Sequence, residues 1–341
     1  YITCVNYHSP GAAGDERGFA RLAARRAGYE LLERERDEAI SLEPLLHMPR
    51  SAAPTLYRYY LENSRQEFAL ARECNASALF SGEGGDQLFY QARGAFGAGD
   101  YLLRHGILRG LGSELFRVAL DGALVDRVSI WRVLRDSVLQ AFGRRWAPLH
   151  EAGVYMESMT AGAIDAVKRD ARWMHPHFQT RARAPSGKLW HAYSLTSPAI
   201  DYYDPLGLPD AVERVAPLFS QPMLEVCLRI PVDVLTTGGW GRAIARRAFR
   251  HDLPHEIATR RGKGGPDVYV RNVLDRNLGF IREMLLEGQL IRQQWIDRPK
   301  LEAALSRDPT RAASGDMEIY DYLNVEAWLQ RLETASALGS C

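Results

Sequence analysis

The stretch Ser81-Gly82-Glu83-Gly84-Gly85-Asp86-Gln87-Leu88-Phe89 sets two carboxylates, Glu83 and Asp86, inside a turn bracketed by three glycines. The apolar run Ala78-Leu79-Phe80 enters it, and the apolar helix start Leu88-Phe89-Tyr90 leaves it. Gly82, Gly84 and Gly85 permit positive φ and let a ligand approach the main chain closely. Bare N–H groups at a helix start can hold phosphate, and a carboxylate in the same turn can hold the magnesium that accompanies it. One short loop therefore offers nucleotide binding, a metal ligand and a candidate base. The competing reading is a strand-to-helix turn with solvated acids. A bare GxGG would be read that way, but two acids at fixed offsets weigh against it.

A second loop, Arg260-Arg261-Gly262-Lys263-Gly264-Gly265-Pro266, presents one lysine among three glycines. A lone lysine in such a place reads as a basic surface loop. The glycines favour a loop that folds over a ligand and delivers one ammonium. A point charge with rotatable donors suits a phosphate or a developing oxyanion. His175-Pro176-His177 is a weaker candidate, because the proline enforces an extended geometry and no acid or cysteine lies nearby in sequence. Arg144-Arg145-Trp146 and the pair Arg181 and Arg183 read as solvated helix ends rather than a binding patch.

The elements that must position these loops alternate. Tyr1 to Asn6 reads as a buried strand and Tyr29 to Leu32 as a second. Between them Asp15 and Glu16 stand at the head of an amphipathic helix around Phe19 to Ala23, with acids in its first turn. Leu56 to Cys74 has helical spacing, with Leu56, Tyr59, Tyr60, Phe68 and Ala71 as its core stripe, and Ala78 to Phe80 is the third strand. This order argues a parallel sheet with helices on both faces, in which ligands sit beyond the carboxyl ends of the strands. After about Gly99 the pattern is helical throughout, with no strong strand. Gly94 to Gly99, Ala182 to Gly187 and Gly262 to Pro266 read as linkers.

The bulk numbers set limits. A chain of 341 residues fills one large domain or two medium ones with a well-buried core. A net charge of +1 argues against a dedicated nucleic-acid binder. No apolar run approaches the ~20 residues that span a bilayer, and no signal peptide opens the chain. Cys4, Cys74, Cys227 and Cys341 have no metal-like spacing and read as free thiols in a reducing cytoplasm. The first residue, Tyr1, reads as a strand already under way.

The acidic loop resembles the second signature of the asparagine synthetase family, S-G-E-G-x-D-E-L-F, with Gln87 where the family usually has Glu. Leu253-Pro254-His255-Glu256-Ile257-Ala258-Thr259-Arg260 is similar to the L-P-x-x-I-x-x-R that leads into the catalytic lysine of asparagine and β-lactam synthetases. The match between Tyr203 and Ser220 is partial: Val215 stands where the family has Arg, and Ser220 where it has Asp. Gly239-Trp240-Gly241-Arg242 followed by Arg246 resembles the family's G-x-x-K/R-x-x-x-R helix, and its arginines read as mainly structural. The resemblance extends from Tyr1 to about Leu332. It implies an α/β fold: a parallel-sheet ATP-pyrophosphatase core of the adenine nucleotide alpha hydrolase type, followed by a mainly helical half. The corresponding parts are a nucleotide-binding portion over residues 1–98 and a helical portion over 99–341 that completes the active site. It further implies that the first ATP loop, S-G-G-x-D-S, and a glutaminase-like domain lie ahead of the Tyr1 strand, so that the core is truncated at its N-terminus.

What the resemblance implies chemically is ATP-dependent adenylation of a carboxylate, then attack by an amine. ATP and Mg²⁺ are the expected cofactors. Val5 and Asn6 match the strand along which adenine binds, and Ser81, Gly82, Gly84 and Gly85 the nucleotide loop. Asp86 would ligate Mg²⁺, Glu83 would orient the attacking amine or take its proton, and Lys263 would counter charge in both transfer steps. The Lys263-Gly264-Gly265 loop and the Leu285-Leu286-Glu287-Gly288-Gln289-Leu290-Ile291 segment look like those of lasso-peptide cyclases. These cyclases close an isopeptide macrolactam within a precursor peptide, and their partners include leader-peptide-binding and protease proteins of the same pathway. Two alternatives stand beside this: a glutamine-hydrolysing asparagine synthase, and a non-catalytic peptide-binding relative.

Overall fold

The computed structural model describes residues 1–9, 14–47, 54, 60–106, 111–141, 157–169, 185–196, 212–262, 264–265, 267–306 and 314–338. Its first unit is β1 (Thr3–His8), α1 (Arg17–Ala27) and β2 (Glu30–Glu35). β1 and β2 pair in parallel, with Thr3 opposite Glu30 and His8 opposite Glu35. The sequence stops α1 with Gly28 at φ 74°, whose N–H returns to Arg25 while Tyr29 N–H returns to Ala24. This paired closure is the usual glycine end of a helix. The acids expected in the first turn of α1 lie just ahead of it: Asp15 binds the Arg17 guanidinium, and Glu16 reaches elsewhere, as described below.

α2 (Tyr60–Glu73) follows, with Phe68 and Ala71 buried as the helical stripe requires; Leu56 and Tyr59 lie outside the described residues. β3 (Ala78–Phe80) then leads into the single-turn α3 (Gly85–Leu88). β3 pairs in parallel with β4 (Glu213–Val215), a three-residue strand in the half expected to be helical. Three residues are too short for a period-two pattern to register. Among the described residues the strands form two two-stranded parallel sheets, β1–β2 and β3–β4, rather than one continuous sheet.

The helical half contains α4 (Phe96–His105), α5 (Ser113–Asp126), α6 (Ile130–Ala141), α7 (Ala161–Arg169) and α8 (Ser186–Thr196). The run from Gly94 to Gly99, which reads as a linker, is the start of α4. Asp126 at the end of α5 accepts from Gly94 N–H (3.0 Å) and Ala95 N–H (2.9 Å), replacing the cap the sequence lacks. The small residues are there for contact: Gly97, Ala98 and Gly99 are buried, with Gly97 against Val232 and Asp233 and Gly99 against Gln140 of α6. α9 (Gln221–Arg229) packs on α3 and α8, α10 (Val232–Leu235) on α4, α11 (Ala243–Ala248) on α10, and α12 (His255–Ala258) on α1.

The last third is a separate core of α13 (Asp267–Arg276), α14 (Leu278–Leu286), α15 (Gln289–Arg292), α16 (Arg298–Leu305) and α17 (Ser314–Leu338), closed by Ile40, Leu42 and Leu45. The segment from Leu285 to Ile291 lies here. Leu285 and Leu290 are buried, and both Glu326 carboxylate oxygens accept from the N–H groups of Gln289 and Leu290, at 2.8 and 2.9 Å. Packing and capping account for this motif.

Candidate active site

Ser81 N–H donates to Val215 O (3.0 Å), continuing the β3–β4 ladder by one residue and aiming the acidic loop from the carboxyl end of β3. Of its three glycines only Gly84 takes positive φ, at 85°; Gly82 and Gly85 do not need it. A Cβ on Gly84 would lie 2.6 Å from two ring carbons of Phe219, so that position requires glycine twice over. With four residues, α3 carries little helix dipole, and the phosphate-holding role expected of its N-terminus rests on the loop as a whole. Ser81, Glu83 and Asp86 are half-buried.

Asp86 forms an ion pair with Arg242, Oδ1 to Nη1 at 3.1 Å. Arg242 holds φ 59°, a left-handed conformation that costs a non-glycine residue free energy and marks sites where the surroundings over-determine it. Its Nε is buried with no partner among the described residues. Sequence reasoning gave Arg242 a mainly structural part; the ion pair attaches it to the acidic loop. Arg246, one turn on, donates to Gly241 O (3.2 Å) and to Ala258 O (2.8 Å), capping α12. Burial pulls the Arg246 guanidinium below its ordinary pKa, and the neighbouring Arg242 and Arg260 add to this.

α12 leads into the lysine loop. Lys263 itself lies outside the described residues, and its neighbours are held on both sides. Arg261 stacks 4.2 Å over the Trp240 ring, whose system Arg246 also approaches at 5.1 Å. Glu16 Oε1 accepts from Arg260 Nη2 and from Gly264 N–H, both at 2.6 Å. Arg260 also lies 4.1 Å over Phe19 of α1. A Cβ on Gly264 would meet Gly14 O at 2.6 Å, so the loop touches the segment after β1 backbone to backbone. Glu16 was missed as a site residue. Its only sequence signal is its place at the head of α1, and its partners are far along the chain.

At the carboxyl end of β1, Asn6 Oδ1, His8 Nδ1 and Ser9 Oγ are buried without partners among the described residues. Buried polar atoms are ordinarily paired, so this end of the strand fits a polar ligand. Val5 is 38% exposed beside them. For a metal the fit is narrower. Among the described residues no group of three His, Cys, Asp or Glu converges. Magnesium that arrives with phosphates takes only one or two protein carboxylates, which Asp86 can supply, with Arg242 as its present competitor.

Other candidates separate from the site. Glu213 and Arg214 lie on β4, where Arg214 pairs with Glu67 at 2.8 Å. His175, His177, Arg144, Arg145, Arg181, Arg183 and the Tyr203–Leu206 turn lie outside the described residues. Cys4, Cys74 and Cys227 are free thiols. Among the described residues no helix is long and apolar enough to cross a membrane.

An acid-bearing loop sits at a parallel strand end, and the residues flanking the lysine loop are tied to it through Arg242 and Trp240. A family model described as asparagine synthase matches residues 2–330, and the chain belongs to that family. Its members are ATP-using ligases that form carbon–nitrogen bonds. No curated protein sequence matches the chain.

The Glu16 contact yields a direct expectation. Glu16→Ala removes the acceptor from Arg260 and Gly264 N–H, so trypsin should cut after Arg260, Arg261 or Lys263 at least about tenfold faster under native conditions, while Glu16→Gln, which keeps one acceptor oxygen, should lie in between. Equal cleavage rates for all three proteins would remove Glu16 from this role.

Proposed function

We propose that the chain is the synthetase part of a ligase that adenylates a carboxylate with ATP and couples it to an amine, and that its substrate is a precursor peptide closed into a macrolactam of the lasso type. The observation that supports the ligase reading is the unbroken run of contacts Asp86–Arg242, Trp240–Arg261 and Arg260–Glu16. It ties the β3 loop, the residues flanking the lysine loop and the head of α1 into one locus. Val5 and Asn6 would lie along adenine, with Ser81, Gly82, Gly84 and Gly85 on the nucleotide and Asp86 on the magnesium bound with it. Bound ATP supplies the leaving pyrophosphate. Glu83 orients the amine or takes its proton, Lys263 opposes the charge that builds at phosphorus and then at carbon, and holding both partners in one place removes much of the entropic barrier. The peptide substrate is inferred from the likeness of the Lys263-Gly264-Gly265 loop and the Leu285–Ile291 segment to those of lasso-peptide cyclases. The family description favours a second reading, asparagine formation from aspartate. ATP–pyrophosphate exchange separates the two. Exchange that requires a precursor peptide with an internal Asp or Glu is the expected result. Exchange driven by free aspartate, with asparagine formed on adding ammonia, would overturn the peptide reading. Leader-peptide-binding and protease proteins are the partners this reading entails.

A further inference from the structure

We propose that His191 is a positioning residue for the acidic loop, fixing its last turn through one buried hydrogen bond. The activity part of this inference rests on the ligase reading; the structural part does not.

α3 is a single turn, and its carbonyls are used in order. Gly84 O accepts from Leu88 N–H (2.7 Å), Gly85 O from Phe89 N–H (3.1 Å), Asp86 O from Gln91 N–H (2.8 Å) and Gln87 O from Tyr90 N–H (3.3 Å). Leu88 O is next, and it takes His191 Nε2 at 2.9 Å. A carbonyl only accepts, so Nε2 carries the proton and Nδ1 is a bare lone pair. Nδ1 is buried without a partner among the described residues, and the whole residue is 0% exposed. Burial lowers its pKa to about 4, so the ring is a neutral donor at working pH and is no acid or base.

His191 sits on a brace. Asp100 accepts from Gly187 N–H (3.0 Å) and Lys188 N–H (2.9 Å), satisfying two of the free donors at the start of α8. Lys188 Nζ donates to Leu228 O at 2.6 Å and also to Ile230 O, at the end of α9. Tyr90 meets the His191 ring edge-on at 5.4 Å, and its hydroxyl proton is shared between Arg93 O (3.2 Å) and Gly187 O (3.4 Å). Residues 88–90 are thus tied to a helix that is itself anchored at both neighbours. A wholly apolar side chain would suit a fully buried position beside Leu88 and Tyr90 better than a half-satisfied imidazole. What the imidazole adds is the bond to Leu88 O, two residues from Asp86.

The test uses three variants of the full chain. His191→Gln offers an amide N–H where Nε2 lies. His191→Phe keeps a flat ring and loses the donor, and His191→Asn is too short to reach, so it carries the test if the Phe variant does not fold. Amide hydrogen exchange at Tyr90 and Gln91 should quicken at least about tenfold in Phe and Asn and stay near wild type in Gln. In ATP–pyrophosphate exchange, kcat should fall about 10- to 100-fold in Phe and Asn, with KM for ATP within about threefold and Gln near wild type, because a displaced loop spoils the reacting geometry before it spoils binding. Wild-type protection in the Phe and Asn variants, or a Gln variant as impaired as they are, would overturn the proposal. Loss of protection with unchanged kcat would overturn its link to the reaction. If wild type itself activates no carboxylate, the ligase reading fails and hydrogen exchange still decides on His191.

Discussion

Replacing Asp86 by alanine is expected to lower substrate-dependent ATP–pyrophosphate exchange by about 10²- to 10³-fold, the size of effect that follows loss of one preorganised electrostatic contact at an oxyanion site. The expectation has a control built into it. The Asp86–Arg242 pair is about one-third exposed on both sides, 33% and 29%, and such pairs contribute roughly 0–1 kcal/mol to stability. Activity should therefore collapse while the denaturation midpoint hardly moves. Asp86→Asn keeps a neutral acceptor for Arg242 and loses the charge. If magnesium dependence is what Asp86 provides, Asn should be as inactive as Ala, with the residual exchange insensitive to magnesium. Lys263→Ala is expected to act in the same assay. An unchanged exchange rate in both Asp86→Ala and Lys263→Ala would remove this pair of loops from the chemistry.

Gly84→Ala should act through the fold. At φ 85° an L-residue costs about 1–2 kcal/mol, and forcing a methyl against a packed ring adds about 1–3 kcal/mol. Phe219 cannot swing aside freely, since it packs on the cluster containing Leu88 and Phe89. The sum, about 2–5 kcal/mol, should appear as a lower denaturant midpoint at unchanged slope. Adding Phe219→Leu to Gly84→Ala should recover the steric part and leave the backbone part, which a double-mutant cycle reads directly. An additive cycle would mean that the ring is not what excludes a side chain.

The sequence carried the local parts of this molecule well. β1, α1, β2 and β3 follow from hydrophobic period and the glycine stop at Gly28, because those signals live within a few residues. The two candidate loops were legible from glycines placed around Glu83, Asp86 and Lys263. What was not legible depends on residues far apart. Gly94 to Gly99 reads as a linker because small residues are common to linkers and to tightly packed helix faces, and only Asp126 and the α6 contact distinguish them. β4 offers three residues, below the length at which alternation means anything. Arg242 and Glu16 look like ordinary surface charges until the fold supplies Asp86 and Gly264. The Leu285–Ile291 segment also has a structural explanation that the sequence does not show, a helix junction capped by Glu326 from far along the chain.

The bond from Gly264 N–H to Glu16 spans 248 positions of sequence. Closing a loop of that length costs about 5 kcal/mol of chain entropy before any contact repays it, and β3 waits likewise for β4. During synthesis the first strands emerge long before their covers exist, so β1 and the acidic loop spend that interval as bare strand ends with polar atoms facing water. The locus is therefore among the last parts of the molecule to be completed, since a chain ending before residue 264 carries Glu16 without the N–H it holds.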